Sequence, residues 1–148
     1  MRRFIVILFA LILATSLSYA QKGLTGRFSC NFTLYDKNDE SKPVTSGVAY
    51  VQDNCYRVET ADGYVVGNGR DRWIYNSKDG ELVIQKDSDS IFKKIAMTRT
   101  SNSTARVVYA NFMALLKNVR DIDALPLNFF SVDKALLDDN VIITDLRD

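Results

Sequence analysis

Histidine is absent from the 148 residues of this chain, which removes the commonest general base and the commonest metal ligand at neutral pH. Proline occurs twice and glycine seven times. No Pro/Gly/Ser-rich linker, low-complexity tract or internal repeat interrupts the sequence, so nothing marks a boundary between domains. An excess of charge of one sign is missing too. Residues 1–20 hold Arg2 and Arg3 and no acid, and without them 17 basic side chains face 18 acidic ones, a net charge of −1. That balance gives no electrostatic reason to expect nucleic acid or an anionic membrane as partner. Long apolar runs are scarce: the one from Phe4 to Ala14 is too short for a comfortable membrane span of roughly 20 residues.

That run belongs to "MRRFIVILFALILATSLSYA", whose charged start, short apolar middle and small residues at Ser18 and Ala20 predict a secretory signal peptide cut after Ala20. Gln21 follows the cut, so there is no lipid-anchoring cysteine. The expected product is a periplasmic or secreted protein, not an integral membrane protein, comprising one domain over residues 21–148.

Period-two patterning dominates that domain. In "GRFSCNFTLY", Phe28, Cys30, Phe32 and Leu34 alternate with Ser29, Asn31 and Thr33, predicting a strand with one dry face. "DKNDESKP" (36–43) reads as a polar loop, and 45–52 and 55–60 as a hairpin about Asp53-Asn54. The Asn68-Gly69 pair predicts a type I′ turn joining 64–67 to 71–76. Asp79-Gly80 turns the chain into 81–85, and further strands are expected over 91–100 and 105–112. Seven or more consecutive antiparallel strands on tight turns must curl or close, because a flat meander would expose long edges. Residues 113–125 fit either a short amphipathic helix or a continued strand. Pro126 opens a predicted strand in "PLNFFSVD", 133–140 reads as a helical turn with Asp133 as N-cap, and "VIITDLRD" as a final strand.

The candidate chemistry is thin. Asp36, Asp39, Glu40, Asp87, Asp89, Asp138 and Asp139 complete no metal-ligand pattern; Asp87-Ser88-Asp89 begins like a calcium loop but lacks its glycine and closing glutamate, and reads as a solvated turn. Gly63, Gly67 and Gly69 precede no helix, so they form no phosphate loop. No cofactor is expected, and catalysis is the least supported class. Export permits a Cys30–Cys55 disulfide, but alternation puts the two on opposite faces. "NFT" (31–33) and "NST" (102–104) match a glycosylation tripeptide that is common by chance.

One segment carries more information. Tyr56-Arg57-Val58-Glu59, then Val65, Val66, Asn68-Gly69, Trp73, Tyr75 and Asn76, with "TSGVAY" upstream and "LNFFSVD...NVIITDLRD" downstream, resemble the signature of the LolA-like family of periplasmic outer-membrane lipoprotein carriers. The resemblance implies a mainly β fold, an unclosed, strongly curved antiparallel half-barrel whose inner face holds acyl chains of lipid or lipoprotein, with membrane-bound donor and acceptor proteins as partners. The helices that form the family's lid are reduced here to "KDSDS", and only Gln21 to Thr25 precede the first strand. Phe28, Phe32, Tyr56, Val58, Val65, Trp73 and Tyr75 are the candidate cavity residues. The same aromatics are equally ordinary core residues, which leaves open a protein-interaction or structural module with a filled interior. Arg57 and Glu59 are expected to point outward as a solvated ion pair, and Lys93 and Lys94 to be surface charges.

Overall fold

The structure, a computed structural model, describes residues 27–87, 96–99, 101–109 and 111–148. The predicted signal peptide, Asp89, Lys93 and Lys94 lie outside the described residues.

Among the described residues, ten strands make one sheet: β1 (Arg27–Asp36), β2 (Asp39–Gln52), β3 (Cys55–Thr60), β4 (Gly63–Gly67), β5 (Asp71–Asn76), β6 (Glu81–Lys86), β7 (Ala96–Arg99), β8 (Ala105–Tyr109), β9 (Phe112–Asp121) and β10 (Ile142–Asp145). Their order is β10-β6-β5-β4-β3-β2-β1-β9-β8-β7, so the sheet is not closed. Neighbours are antiparallel except β10, which lies parallel to β6. The mainly β, unclosed half-barrel expected from the sequence is the architecture observed.

Chain length alone requires the sheet to bend. β6 and β7 stand eight strand spacings apart, which in a flat sheet is about 38 Å at ~4.8 Å per strand. From Lys86 to Ala96 the chain takes ten Cα steps, a reach of at most about 35 Å. Because β6 and β7 point the same way, Lys86 and Ala96 also lie at opposite ends of their strands. Only a curled sheet brings the two within that reach.

Two glycines on the inner face mark where the curl is tight. Phe32 is paired with Gly47, and Tyr56 with Gly67. A Cβ on Gly47 would run into the β3 backbone at the Glu59 carbonyl and stand 3.1 Å from Phe32 Cζ, whereas one on Gly67 would stand 2.6 Å from Tyr56 Oη and closer still to the ring carbons Cε1 and Cζ. Gly47 lets the neighbouring backbone approach closely, and Gly67 gives up its side chain so that the Tyr56 ring can lie across its strand.

Inner-face side chains from seven strands form one cluster, including Phe28, Cys30, Phe32, Leu34, Val51, Val58, Val65, Ile74, Val107 and Leu116. All the described members belong to strands. The outer face has a second cluster, covered differently. Residues 122–141 leave β9, cross the outer face as an irregular strap and deliver the chain to β10 at the far edge. Two short 3-10 helices, Leu127–Phe130 and Lys134–Leu136, make up its ordered part.

Several local expectations differ from what the chain does. The polar stretch 36–43 is not a loop: a tight turn at 37–38 leads straight into β2, and Pro43 is accommodated where the β1–β2 register shifts at Tyr35. The β4–β5 hairpin pairs as expected, Tyr64 with Tyr75 and Gly67 with Arg72, but its turn is not type I′. Gly69 alone takes a positive φ, +85°, while the Asn68 side chain accepts hydrogen bonds from the Arg70 and Asp71 backbone N–H groups at 3.0 and 2.8 Å. The Asn side chain substitutes for the second left-handed residue. The run 105–112 is divided between β8 and the start of β9; of the two readings of 113–125, the continued strand is the one observed, through Asp121, because it pairs along β1. The predicted strand in "PLNFFSVD" is a 3-10 helix instead. Asp133 does cap, accepting from Ala135 N–H at 2.9 Å.

In β9 one extra residue changes what points inward. Ser29 faces Arg120 and Asn31 faces Lys117, so Cys30 opposes both Asn118 and Val119. Asn118 takes φ 52°, and the Val119 N–H released from the ladder donates to Ser103 O at 3.0 Å. The bulge turns Val119 into the inner cluster.

Candidate functional site

The inner wall collects five of the seven candidate residues. Phe28, Phe32, Tyr56, Val58 and Val65 all lie there, at most 2% exposed. Trp73 and Tyr75 do not. Val65 pairs with Ile74 and Val58 with Val65, so Trp73 and Tyr75, one residue out of phase, face outward. Trp73 packs with Val66, Ile84 and Phe130 beneath the strap, and Tyr75 lies 5.1 Å from Tyr64, ring to ring. Apolar residues at consecutive positions of β4 and β5 serve two cores, not one.

The strap is fastened to the outer face by specific contacts. Gln52 donates from Nε2 to Leu125 O at 3.0 Å and accepts from Leu125 N–H at 2.7 Å. Phe130 is fully buried, and Phe129 meets Tyr50 edge to face at 5.1 Å. Arg57 is not a solvated charge. Its guanidinium is stacked between the rings of Tyr64 (5.2 Å) and Phe129 (5.0 Å), donates to Phe129 O at 3.2 Å, and holds Glu59 at 2.5 Å. At the end of the strap, Ile142 N–H donates to Gly80 O at 2.8 Å, Leu146 N–H to Ile84 O at 2.7 Å, and Arg147 reaches Asp71 at 3.4 Å.

A polar group stands at one rim of the inner face. Tyr56, Gly67, Arg72 and Gln85 are register partners across β3 to β6. The Arg72 side chain is 3% exposed and Asp87 7% exposed, with Nη2 to Oδ1 at 3.2 Å. Tyr56 Oη donates to the same Asp87 oxygen at 3.1 Å, and burial pushes its phenol well above the ordinary tyrosine range. Asp87 is therefore part of the interior and not of a solvated turn. Arg72 Nη2 also approaches Lys86 O at 3.4 Å, whereas its Nε–H has no acceptor among the described residues. One step deeper come Val58, Val65 and Ile74. The face thus runs from a hydrogen-bonding rim to an apolar floor. Among the described residues no group of three His, Cys, Asp or Glu side chains could hold a metal ion.

Cys30 and Cys55 are both free thiols on opposite faces, as alternation predicts. Burial pushes the Cys30 thiol up to about 12. A separate hollow of about 390 Å³ opens beside the β9 bulge, lined by Ser29, Asn31, Tyr50, Ser103, Asn118 and Arg120 among others, with Arg120 Nε 3.3 Å from Ser29 Oγ.

No family model matches the sequence, and no curated protein matches it. Among solved structures, the chain is similar to an uncharacterized conserved protein from Thermus thermophilus, at 13% identity and a TM-score of 0.51, covering 87% of this chain and 96% of that one. At that identity the likeness concerns the fold alone.

Proposed function

We propose that the chain is an exported, non-catalytic carrier of LolA-like type, holding the acyl chain of a lipid or lipoprotein against the inner face of its half-barrel. The observation that carries this reading is the division of labour between the faces. The outer aromatics are consumed by the chain's own strap, while the inner wall of Phe28, Phe32, Val58 and Val65 belongs to a sheet left open between β10 and β7. Binding is driven by burial of apolar surface, roughly 25 cal/mol per Å², and release requires a more apolar acceptor. Membrane-bound donor and acceptor proteins are the partners this reading calls for.

The complete burial of Phe28, Val58 and Val65 supports the second reading, a protein-interaction module whose interior is filled by its own side chains. A Phe32→Trp variant in a Trp73→Phe background separates the two by placing the sole indole on the inner wall. Titration with palmitate gives a saturable emission change if the chain is a carrier. Silence up to the solubility limit leaves the interaction module.

A further inference from the structure

We infer that Arg72 Nε is the head-group contact of the bound ligand, donating its N–H to an uncharged acyl carbonyl oxygen, as in an ester or amide. The inference rests on the carrier reading and adds the chemical class of the ligand's polar end.

Three observations meet at this nitrogen. Arg72 Nε is, among the described residues, the buried side-chain donor without a hydrogen-bond partner. Folded proteins almost always satisfy such groups, with an acceptor from the chain, from water or from a ligand. The arginine is also held in place: Nη2 is tied to Asp87 and Lys86 O, Asp87 is tied to Tyr56, and the Tyr56 ring occupies the bay that Gly67 leaves. A fork fixed at one end presents its remaining N–H in a fixed direction, which is the preorganisation that recognition of a single oxygen requires. Finally, Arg72 faces the same way as Ile74 on β5 and as Val65 and Val58 on the strands beside it. Val58 and Val65 are fully buried in this structure, so a tail reaches that apolar surface by displacing what packs on it, and doing so brings its oxygen-bearing end to the rim.

The charge of the acceptor follows from what the guanidinium already faces. Its cation is engaged by the Asp87 carboxylate at 3.2 Å, and a second carboxylate beside it would meet like-charge repulsion in a poorly solvated place. An ester or amide carbonyl takes the hydrogen bond without adding charge.

The test uses the mature chain and displacement of an apolar dye by three probes of matched length: methyl palmitate, palmitate and hexadecane delivered from cyclodextrin. Methyl palmitate should bind about tenfold more tightly than hexadecane, the scale of one hydrogen bond to a charged donor, with palmitate weaker than the ester. In Arg72→Met the preference for ester over hydrocarbon should vanish while hexadecane binding is kept. If Arg72→Met does not fold, the Arg72→Met/Asp87→Asn pair removes the buried carboxylate with its cation. The wild type gives an independent readout, since the Arg72 Nε–H resonance in a ¹⁵N spectrum should shift on adding methyl palmitate and stay in place on adding hexadecane. Equal binding of ester and hydrocarbon, or an ester preference that persists unchanged in Arg72→Met, overturns the inference and leaves the carrier reading standing. Tighter binding of palmitate than of ester, lost with Arg72, makes this an anion site and overturns the uncharged assignment. Failure of all three probes to bind overturns the carrier reading itself.

Discussion

Replacing Gly67 by alanine is a sharp test of how the inner face is packed. Gly67 keeps a backbone conformation open to any residue, since its φ is not positive, so the added methyl acts through space alone. It would stand 2.6 Å from Tyr56 Oη and nearer to two ring carbons, where carbon contacts settle at about 3.5–4 Å. The ring must retreat by about 1 Å or more. That movement breaks the 3.1 Å bond to Asp87, a loss of about 1–3 kcal/mol, and overpacking adds about 1–3 kcal/mol. Restricting the unfolded chain returns about 0.4–1 kcal/mol. The expected net destabilisation is about 2–4 kcal/mol, read from the urea midpoint at unchanged m-value. In a Tyr56→Leu background the clashing atoms are gone, and Gly67→Ala should become neutral or stabilising by up to about 1 kcal/mol. The same cost in both backgrounds, or a wild-type midpoint for Gly67→Ala alone, would refute the claim that glycine is present to seat this ring.

Other outcomes follow from the outer face and the thiol. Phe130→Ala should cost about 3–5 kcal/mol and shift Trp73 emission to the red, because the two pack together; an unshifted spectrum would separate Trp73 from the strap. Arg57→Met should cost about 1–3 kcal/mol, and Arg57→Lys should recover little of it, since an ammonium cannot stack flat between Tyr64 and Phe129. Full recovery by lysine in thermal melts would contradict that account. Cys30 ionises near 12 when folded and near 9 otherwise. Its contribution is fully present below pH 9 and falls as pH rises from 9 to 12, by on the order of 4 kcal/mol. Cys30→Ala should flatten that part of the alkaline unfolding profile, and an unchanged slope would place the thiol in water.

Much of the sheet is legible in β1, where strict alternation at Phe28, Cys30, Phe32 and Leu34 marks both the strand and its dry face. Alternation loses its hold where both faces are dry. Positions 71–74 of β5 are buried without a break, so the pattern cannot say which residues share a wall. Hairpin parity could have said it. Pairing through a two-residue turn or through the longer turn observed both set Trp73 beside Tyr64 or Val66 and never beside Val65. The strap has no local signature, because "LNFF" is apolar through its contacts with distant strands and not through any period of its own. Arg72 is hidden for a related reason: a lone arginine between Asp71 and Trp73 looks like a surface charge, and only Asp87, fifteen residues on, brings it inside.

The outer strap also orders events during biogenesis. Residues 122–146 are synthesised after every strand of the antiparallel sheet, yet among the described residues it is they that close over Trp73 and Tyr64 and pair the free edge of β6. Until they arrive, the nascent sheet carries a bare aromatic patch beside an unpaired strand, the combination that recruits other chains. Loss of this one segment by proteolysis is therefore expected to convert a dispersed protein into a self-associating one, even though the inner wall is left intact.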